Sequence, residues 1–162
     1  MIIRQASIRE FKALWDFSGS NTYHYFLDGM NEKIIELWTI EIDKELVGEL
    51  YIFWNSEDKD EANGHNRAYL CAFRIKENYQ GRRLASLLMN RVLERIAEKG
   101  YNEVTIGVDN DNYHKLFSMY NRWGFDTLIK KTCIDFHYLD KDNNPVTYDE
   151  SFDLLLNHIN TE

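Results

Sequence analysis

Apolar side chains recur along the chain with two different periods, and the switches between them lay out its elements. Leu84, Leu88, Val92 and Ile96 repeat every fourth residue, with Asn90, Glu94 and Glu98 opposite and Gly100 behind them. That pattern predicts an amphipathic helix with a stop signal. A second helix is predicted over residues 112–123, where Leu116, Met119, Tyr120 and Trp123 share one side and Gly124-Phe125 ends the run. Residues 34–43 and 46–54 are rich in Ile, Leu, Val, Tyr and Trp and flank Lys44-Glu45, which predicts a β-hairpin. Residues 68–75 are almost continuously apolar, as in a strand covered on both faces. Residues 103–109 alternate as a strand, and two more strands are predicted at 125–131 and 133–139. Residues 2–5 read as an edge strand, 8–17 and 22–30 as short covering helices, and 149–158 as a terminal helix. The longest clear loop is the polar stretch 55–67.

Helices and strands alternating after an N-terminal hairpin imply an α/β domain with a mixed sheet. The strand-helix-strand unit 68–109 should cross over right-handedly and make its two strands parallel. Ligands of open α/β sheets tend to lie at the carboxyl ends of such strands, here marked by Ile75 and Asp109.

Length and composition fit one globular domain spanning 1–162, with a core over about 2–139 and an extension, 140–162, carrying the terminal helix. The 162 residues are 44% hydrophobic and include a single proline, with no linker, repeat or low-complexity block. No apolar run approaches the roughly 20 residues that span a bilayer, and the first residues lack the layout of a signal peptide. A cytoplasmic protein without membrane partners is expected. Cys71 and Cys133 sit in apolar stretches without metal-ligand spacing and read as buried thiols. The five histidines are likewise scattered, so no metal is expected. A formal net charge of −8 argues against nucleic-acid binding and favours a cationic partner. Arg91, Arg95 and Lys99 read as a solvated helix face, and the acidic residues of the 55–67 loop as solvating. Tyr23, Tyr25, Phe26, Trp38 and Trp54 are expected in the core rather than in a pocket. The apolar residues after Asp140 could cover the chain's own sheet or that of a homodimer partner.

Between the apolar strand and the Leu84 helix lies Tyr79-Gln80-Gly81-Arg82-Arg83-Leu84-Ala85-Ser86. A helix opening there presents unpaired N–H groups and about half a positive charge, a ready anion site. Gly81 lets the backbone approach a ligand closely. This segment resembles the pyrophosphate loop of the GNAT N-acetyltransferases, Arg/Gln-x-x-Gly-x-Gly/Ala. Some 40 residues later, Met119-Tyr120-Asn121-Arg122-Trp123-Gly124-Phe125 is similar to that family's second cofactor segment. The opening Ile3-Arg4-Gln5-Ala6 also fits, so the resemblance covers roughly residues 2–139. Arg83 stands where the family usually has its central glycine, and Tyr113 where it usually has an asparagine, with Asn112 one residue earlier.

The resemblance implies a mixed, mostly antiparallel sheet of about seven strands, flanked by helices and opened by a splayed parallel pair. It implies acetyl-CoA as co-substrate, its pantetheine arm pairing with the backbone of Phe73, Arg74 and Ile75. The pyrophosphate would rest on Gln80, Gly81, Arg82, Arg83, Leu84, Ala85 and Ser86, with Asn112 and Tyr120 completing the cofactor contacts. The implied reaction is direct acetyl transfer to a primary amine of a small molecule or protein, with Tyr120 beside the sulfur as acid for the leaving thiolate. An amine of pKa about 10.4 must first lose a proton. Glu49 is the candidate to accept it and Asp109 the rival, although Asp109 could instead cap the following helix. The reading of a different class is a non-catalytic CoA-binding or regulatory module.

Overall fold

A computed structural model describes residues 1–15 and 19–159. One seven-stranded sheet runs through it, formed by β1 (Ile2–Gln5), β2 (Ile35–Ile42), β3 (Glu45–Phe53), β4 (Arg67–Ile75), β5 (Glu103–Val108), β6 (Thr127–Leu139) and β7 (Pro145–His158). Their order is β1-β2-β3-β4-β5-β7-β6. Every neighbouring pair is antiparallel except β4 and β5. Helices α1 (Ile8–Leu14) and α2 (Asn21–Asn31) precede β2, α3 (Leu84–Glu98) links β4 to β5, and α4 (Tyr113–Arg122) follows β5.

Strand alternation gives the sheet two apolar faces and hence two cores. Leu50 and Ile52 of β3, Leu70 of β4 and Val104, Ile106 and Val108 of β5 meet Leu88, Met89, Val92 and Ile96 of α3. The intervening Tyr51, Phe53 and Tyr69 meet Phe11, Tyr23 and Phe26 on the α1–α2 face. Four of the five aromatics expected in the core are buried, Trp38 and Trp54 on the α3 face and Tyr23 and Phe26 on the α1–α2 face. Tyr25 only packs against that core, and its hydroxyl donates to Glu57 at 2.8 Å. Arg91, Arg95 and Lys99 do more than face solvent. Arg91 lies over Trp38 and both Arg95 and Lys99 over Trp54, while Arg95 bonds the buried Glu36 at 2.8 Å.

Two expectations need correction. The predicted terminal helix is strand β7, and the two strands predicted over 125–139 are one, β6. Residues 153–157 of β7 are all buried because the strand is inserted between β5 and β6, so its apolar run is that of an internal strand. The sheet thus has seven strands, though not the seven that local pattern gave. Residues 16 and 17 of the first predicted helix, and the end of the predicted extension, lie outside the described residues. Both cysteines are free and only partly buried. No helix among the described residues is long and apolar enough to cross a membrane.

Candidate active site

The parallel pair opens partway along its length. β4 and β5 are in register only from Arg67↔Glu103 to Leu70↔Ile106, although β4 runs on to Ile75 and β5 to Val108. The cause lies in β4. Between Tyr51↔Cys71 and Glu49↔Arg74, β3 advances two residues while β4 advances three, with Ala72 at φ 53°. An extra residue of this kind bends its strand, and here the bend accompanies the parting from β5.

Beyond the bulge β4 stays paired to β3, and the Lys76 N–H donates to Val47 at 2.8 Å. Antiparallel alternation then turns the peptide groups of Phe73 and Ile75 away from β3, toward the opening. The Ile75 carbonyl is met by the side-chain amide of Gln80 at 3.0 Å. A free strand edge in a cleft can recognise an extended ligand through its backbone, without specifying β4 side chains.

The chain then enters α3 through a turn with unusual backbone geometry. Gly81 has φ +79° and Arg83, the residue before the helix, φ 62°. The Ser7 and Ser20 side chains close the N-termini of α1 and α2, but no side chain caps α3. Its first intrahelical bond runs from Leu87 N–H to Arg83 C=O, so the N–H groups of Leu84, Ala85 and Ser86 point out of the helix start. The helix begins at Leu84, and the Leu84 side chain is itself in the core. Arg83 occupies the left-handed conformation that glycine adopts without penalty, and its exposed side chain does not crowd the turn. Arg82 folds back, its guanidinium 5.0 Å from the centre of the Tyr79 ring and 3.3 Å from the Asn78 carbonyl.

A cleft of about 1260 Å3 follows this opening through the sheet. Of the residues expected at the site, Glu49, Phe73, Arg74, Ile75, Gln80, Asn112 and Tyr120 line it. Gly81, Arg82, Arg83, Leu84, Ala85 and Ser86 carry on from Gln80 as the adjoining turn and helix start. Tyr120, on the α3–α4 face, is 5% exposed. Burial, and secondarily the Asp109 carboxylate, push its hydroxyl up to about 12. Asp109 caps the 3-10 turn that follows it, accepting from the Asp111 N–H at 3.1 Å. Asn112 precedes α4 with an exposed side chain that does not cap it.

Glu49 lies across the cleft on the α1–α2 face, its side chain 17% exposed and 2.7 Å from the Arg74 guanidinium. Sequence reasoning missed its neighbours there. Asp135, His137 and Tyr138 from β6, and Tyr148 and Glu150 from β7, line the same wing. Tyr148 donates to Asp135 at 3.1 Å. Nothing local signals them, because only the β6–β7 pairing carries these strands over the opening. The 55–67 loop is also more than a solvated segment. Asp58 and Asp60 bind Lys130 at 2.7 and 3.1 Å, and Glu61 is buried beneath β6. No cluster of potential metal ligands occurs among the described residues.

Comparison with known proteins agrees with this geometry. The profile of the acetyltransferase (GNAT) family matches residues 3–125. No curated protein sequence matches the chain. Among solved structures, a GNAT family acetyltransferase from Elizabethkingia anophelis with acetyl-CoA bound superposes with a TM-score of 0.64 at 16% identity. The match covers 98% of this chain and 97% of that one. A mutant of spermidine N-acetyltransferase from Vibrio cholerae gives 0.67 at 12% identity, covering 98% and 95%. The aminoglycoside 6'-N-acetyltransferase from Enterococcus faecium gives 0.65 at 11%, covering 98% and 97%. At such identities the likeness is one of fold.

Proposed function

Because the chain belongs to the acetyltransferase (GNAT) family, whose co-substrate is acetyl-CoA, we propose that it transfers the acetyl group directly to a primary amine, most readily a cationic one. The observation that carries this reading is the bulged end of β4, open on its β5 side, followed through the Gly81 turn by the uncapped start of α3. The first suits an extended amide-bearing arm. The second suits a diphosphate, with each helix-terminus contact contributing about 0.3–1 kcal/mol, so several must act together. Acetyl-CoA supplies an activated acyl group as a thioester.

The chain's own residues divide the remaining work between the two faces of the sheet. Tyr120 offers a hydroxyl donor where negative charge grows on sulfur. With its pKa near 12 it keeps its proton and acts by hydrogen bonding. Glu49, Asp135 and Glu150 line the opposite wing with carboxylates. They favour an ammonium group arriving from the α1–α2 side. Glu49 is held in place by its ion pair with the Arg74 guanidinium and serves this wing as one of three carboxylates facing the arriving ammonium. The names of two structural neighbours specify spermidine and aminoglycosides, amines of the kind such a wing would take.

A panel of amines incubated with acetyl-CoA, read by release of free thiol and by mass of the product, tests the proposal. Acetylation of at least one cationic amine is expected. Binding of coenzyme A with no turnover on any amine would instead make the protein a CoA-binding module.

A further inference from the structure

Removing the proton from an ammonium of pKa about 10.4 at neutral pH costs about 5 kcal/mol, and some group must receive it. Beside the acceptor wing lies a histidine with an unusual environment. His137 on β6 is 1% exposed, lines the cleft, and places Nε2 3.0 Å from Oε1 of Glu61, which is also 1% exposed. Ser56 donates to that same carboxylate oxygen at 2.9 Å, and Thr105 donates to the Glu61 backbone carbonyl at 2.7 Å, so both ends of the residue are held. The imidazole is packed between rings, with its centre 4.2 Å from that of Phe53 and stacked 4.9 Å from Tyr69. Its other nitrogen, Nδ1, is buried and has no hydrogen-bond partner among the described residues.

A buried polar atom without a partner is expensive to keep, and a native fold retains few of them. In the neutral ring a carboxylate oxygen opposite Nε2 selects the tautomer with the proton on that nitrogen, which leaves the lone pair on Nδ1. A carboxylate behind one imidazole nitrogen and a bare lone pair on the other is the arrangement of a general base and the group that orients it. The titratable groups around His137 are Glu61 from the loop, Tyr25 from α2, Tyr69 from β4 and Asp135 on its own strand. Of these, only Glu61 bonds the ring.

Resting on the transferase reading, we propose that His137 is a catalytic residue whose Nδ1 takes the proton of the acceptor ammonium, with Glu61 as its positioning residue. The N–H bond of the ammonium breaks, leaving the electron pair on nitrogen, and the proton forms a bond to Nδ1. The amine nitrogen then bonds the acyl carbon as the carbon–sulfur bond breaks; the sulfur keeps that electron pair under the Tyr120 hydroxyl and takes up the second proton, released by the new amide nitrogen, to leave as the free thiol. The imidazolium, facing the Glu61 carboxylate, later gives its proton up through the cleft that His137 lines.

The first arm of the test needs no acceptor. In long-range 15N–1H spectra of the full chain labelled at histidine nitrogen, His137 is assigned by its loss in His137→Gln. A protonated Nε2 and a bare Nδ1 are expected, and a proton on Nδ1 in the amine-free protein overturns the inference. The second arm is kinetic. His137→Gln retains an amide that can donate to Glu61 but has no lone pair at the Nδ1 position. With the amine ranked first in the acceptor panel, kcat should fall about 10²- to 10⁴-fold, while the KM for acetyl-CoA and the thermal midpoint stay near wild type. Glu49→Gln should chiefly raise the KM for the amine. Undiminished kcat in folded His137→Gln overturns the assignment; if that variant does not fold, Glu61→Gln with the histidine spectrum decides. A panel with no turnover counts against the transferase reading, and the tautomer of His137 then upholds or overturns the histidine assignment by itself.

Discussion

Replacing Tyr120 by phenylalanine removes one oxygen from a side chain otherwise held by α4 and the α3-side core. The consequence depends on whether the hydroxyl gives up its proton or only shares it. Burial and the Asp109 carboxylate raise it to about 12, whereas a thiol lies near 8.5. Full transfer to the leaving thiolate would therefore run uphill by roughly 3.5 units, or about 5 kcal/mol. Sharing the proton has no such penalty, and a hydrogen bond to a charged group contributes about 1.5–3 kcal/mol. Tyr120→Phe should thus lower kcat by roughly 10- to 100-fold, less than the loss of an obligatory acid. The assay is steady-state thiol release at saturating amine and acetyl-CoA, with coenzyme A affinity measured alongside by calorimetry. Affinity should change little, because the hydroxyl acts on charge that exists only as the carbon–sulfur bond breaks. A kcat within twofold of wild type would refute the reasoning. So would an equal loss of coenzyme A affinity, which would make Tyr120 a binding residue only.

Two further predictions concern the scaffold around the site. An added Cβ at Gly81 meets no atom within 4 Å, so Gly81→Ala is opposed by its φ of +79° alone. It should cost about 1 kcal/mol and lower the thermal midpoint by about 2–4 °C, with weaker coenzyme A binding by calorimetry. Gly124→Ala, whose Cβ would lie 2.8 Å from the buried Asn157 side chain, should destabilise more than Gly81→Ala in the same melt. At the edge of the sheet, hydrogen bonds from Arg4 and then from the Ser7 N–H hold the Glu10 carboxyl down at about 2, against 4.5 ordinarily. A lowered folded value means a contribution that is full above about pH 4.5 and lost as pH falls toward 2. The stability gap between wild type and Glu10→Gln in urea titrations should accordingly close between about pH 5 and 2, and a constant gap would contradict it.

Much of the half of the cleft proposed to hold acetyl-CoA was legible in the sequence because it is local. The apolar strand, the glycine turn and the Leu84 helix are consecutive, so their order alone puts Phe73, Ile75 and Gln80 beside a helix start. Tyr120 likewise follows from a short motif on one helix. Arg83 in place of glycine could not be judged from the sequence. Only the left-handed backbone shows that the residue keeps the glycine conformation and turns its side chain outward.

The proposed acceptor half was not legible, for a physical reason that begins with β7. Its leucine run and preceding Asp-Glu pair suit a helix as well as a strand, because an apolar segment buried on every side has no period to read. What decides is the open edge of β5, whose backbone groups need partners, and β7 supplies them from about 50 residues away. Once β7 is paired there, β6 must follow outside it. That hairpin then sets Asp135, His137, Tyr138 and Glu150 against Glu49 and closes Glu61 beneath the ring of His137. The sequence by itself determined helices α1 to α4, the first five strands and the glycine turn into α3, since these rest on periodicity and near-neighbour geometry. The parting of β4 from β5, the β6–β7 pairing that builds the proposed acceptor wing and the burial of the unpartnered His137 Nδ1 were decided by tertiary structure, because they depend on which distant backbone and side-chain groups are left without partners.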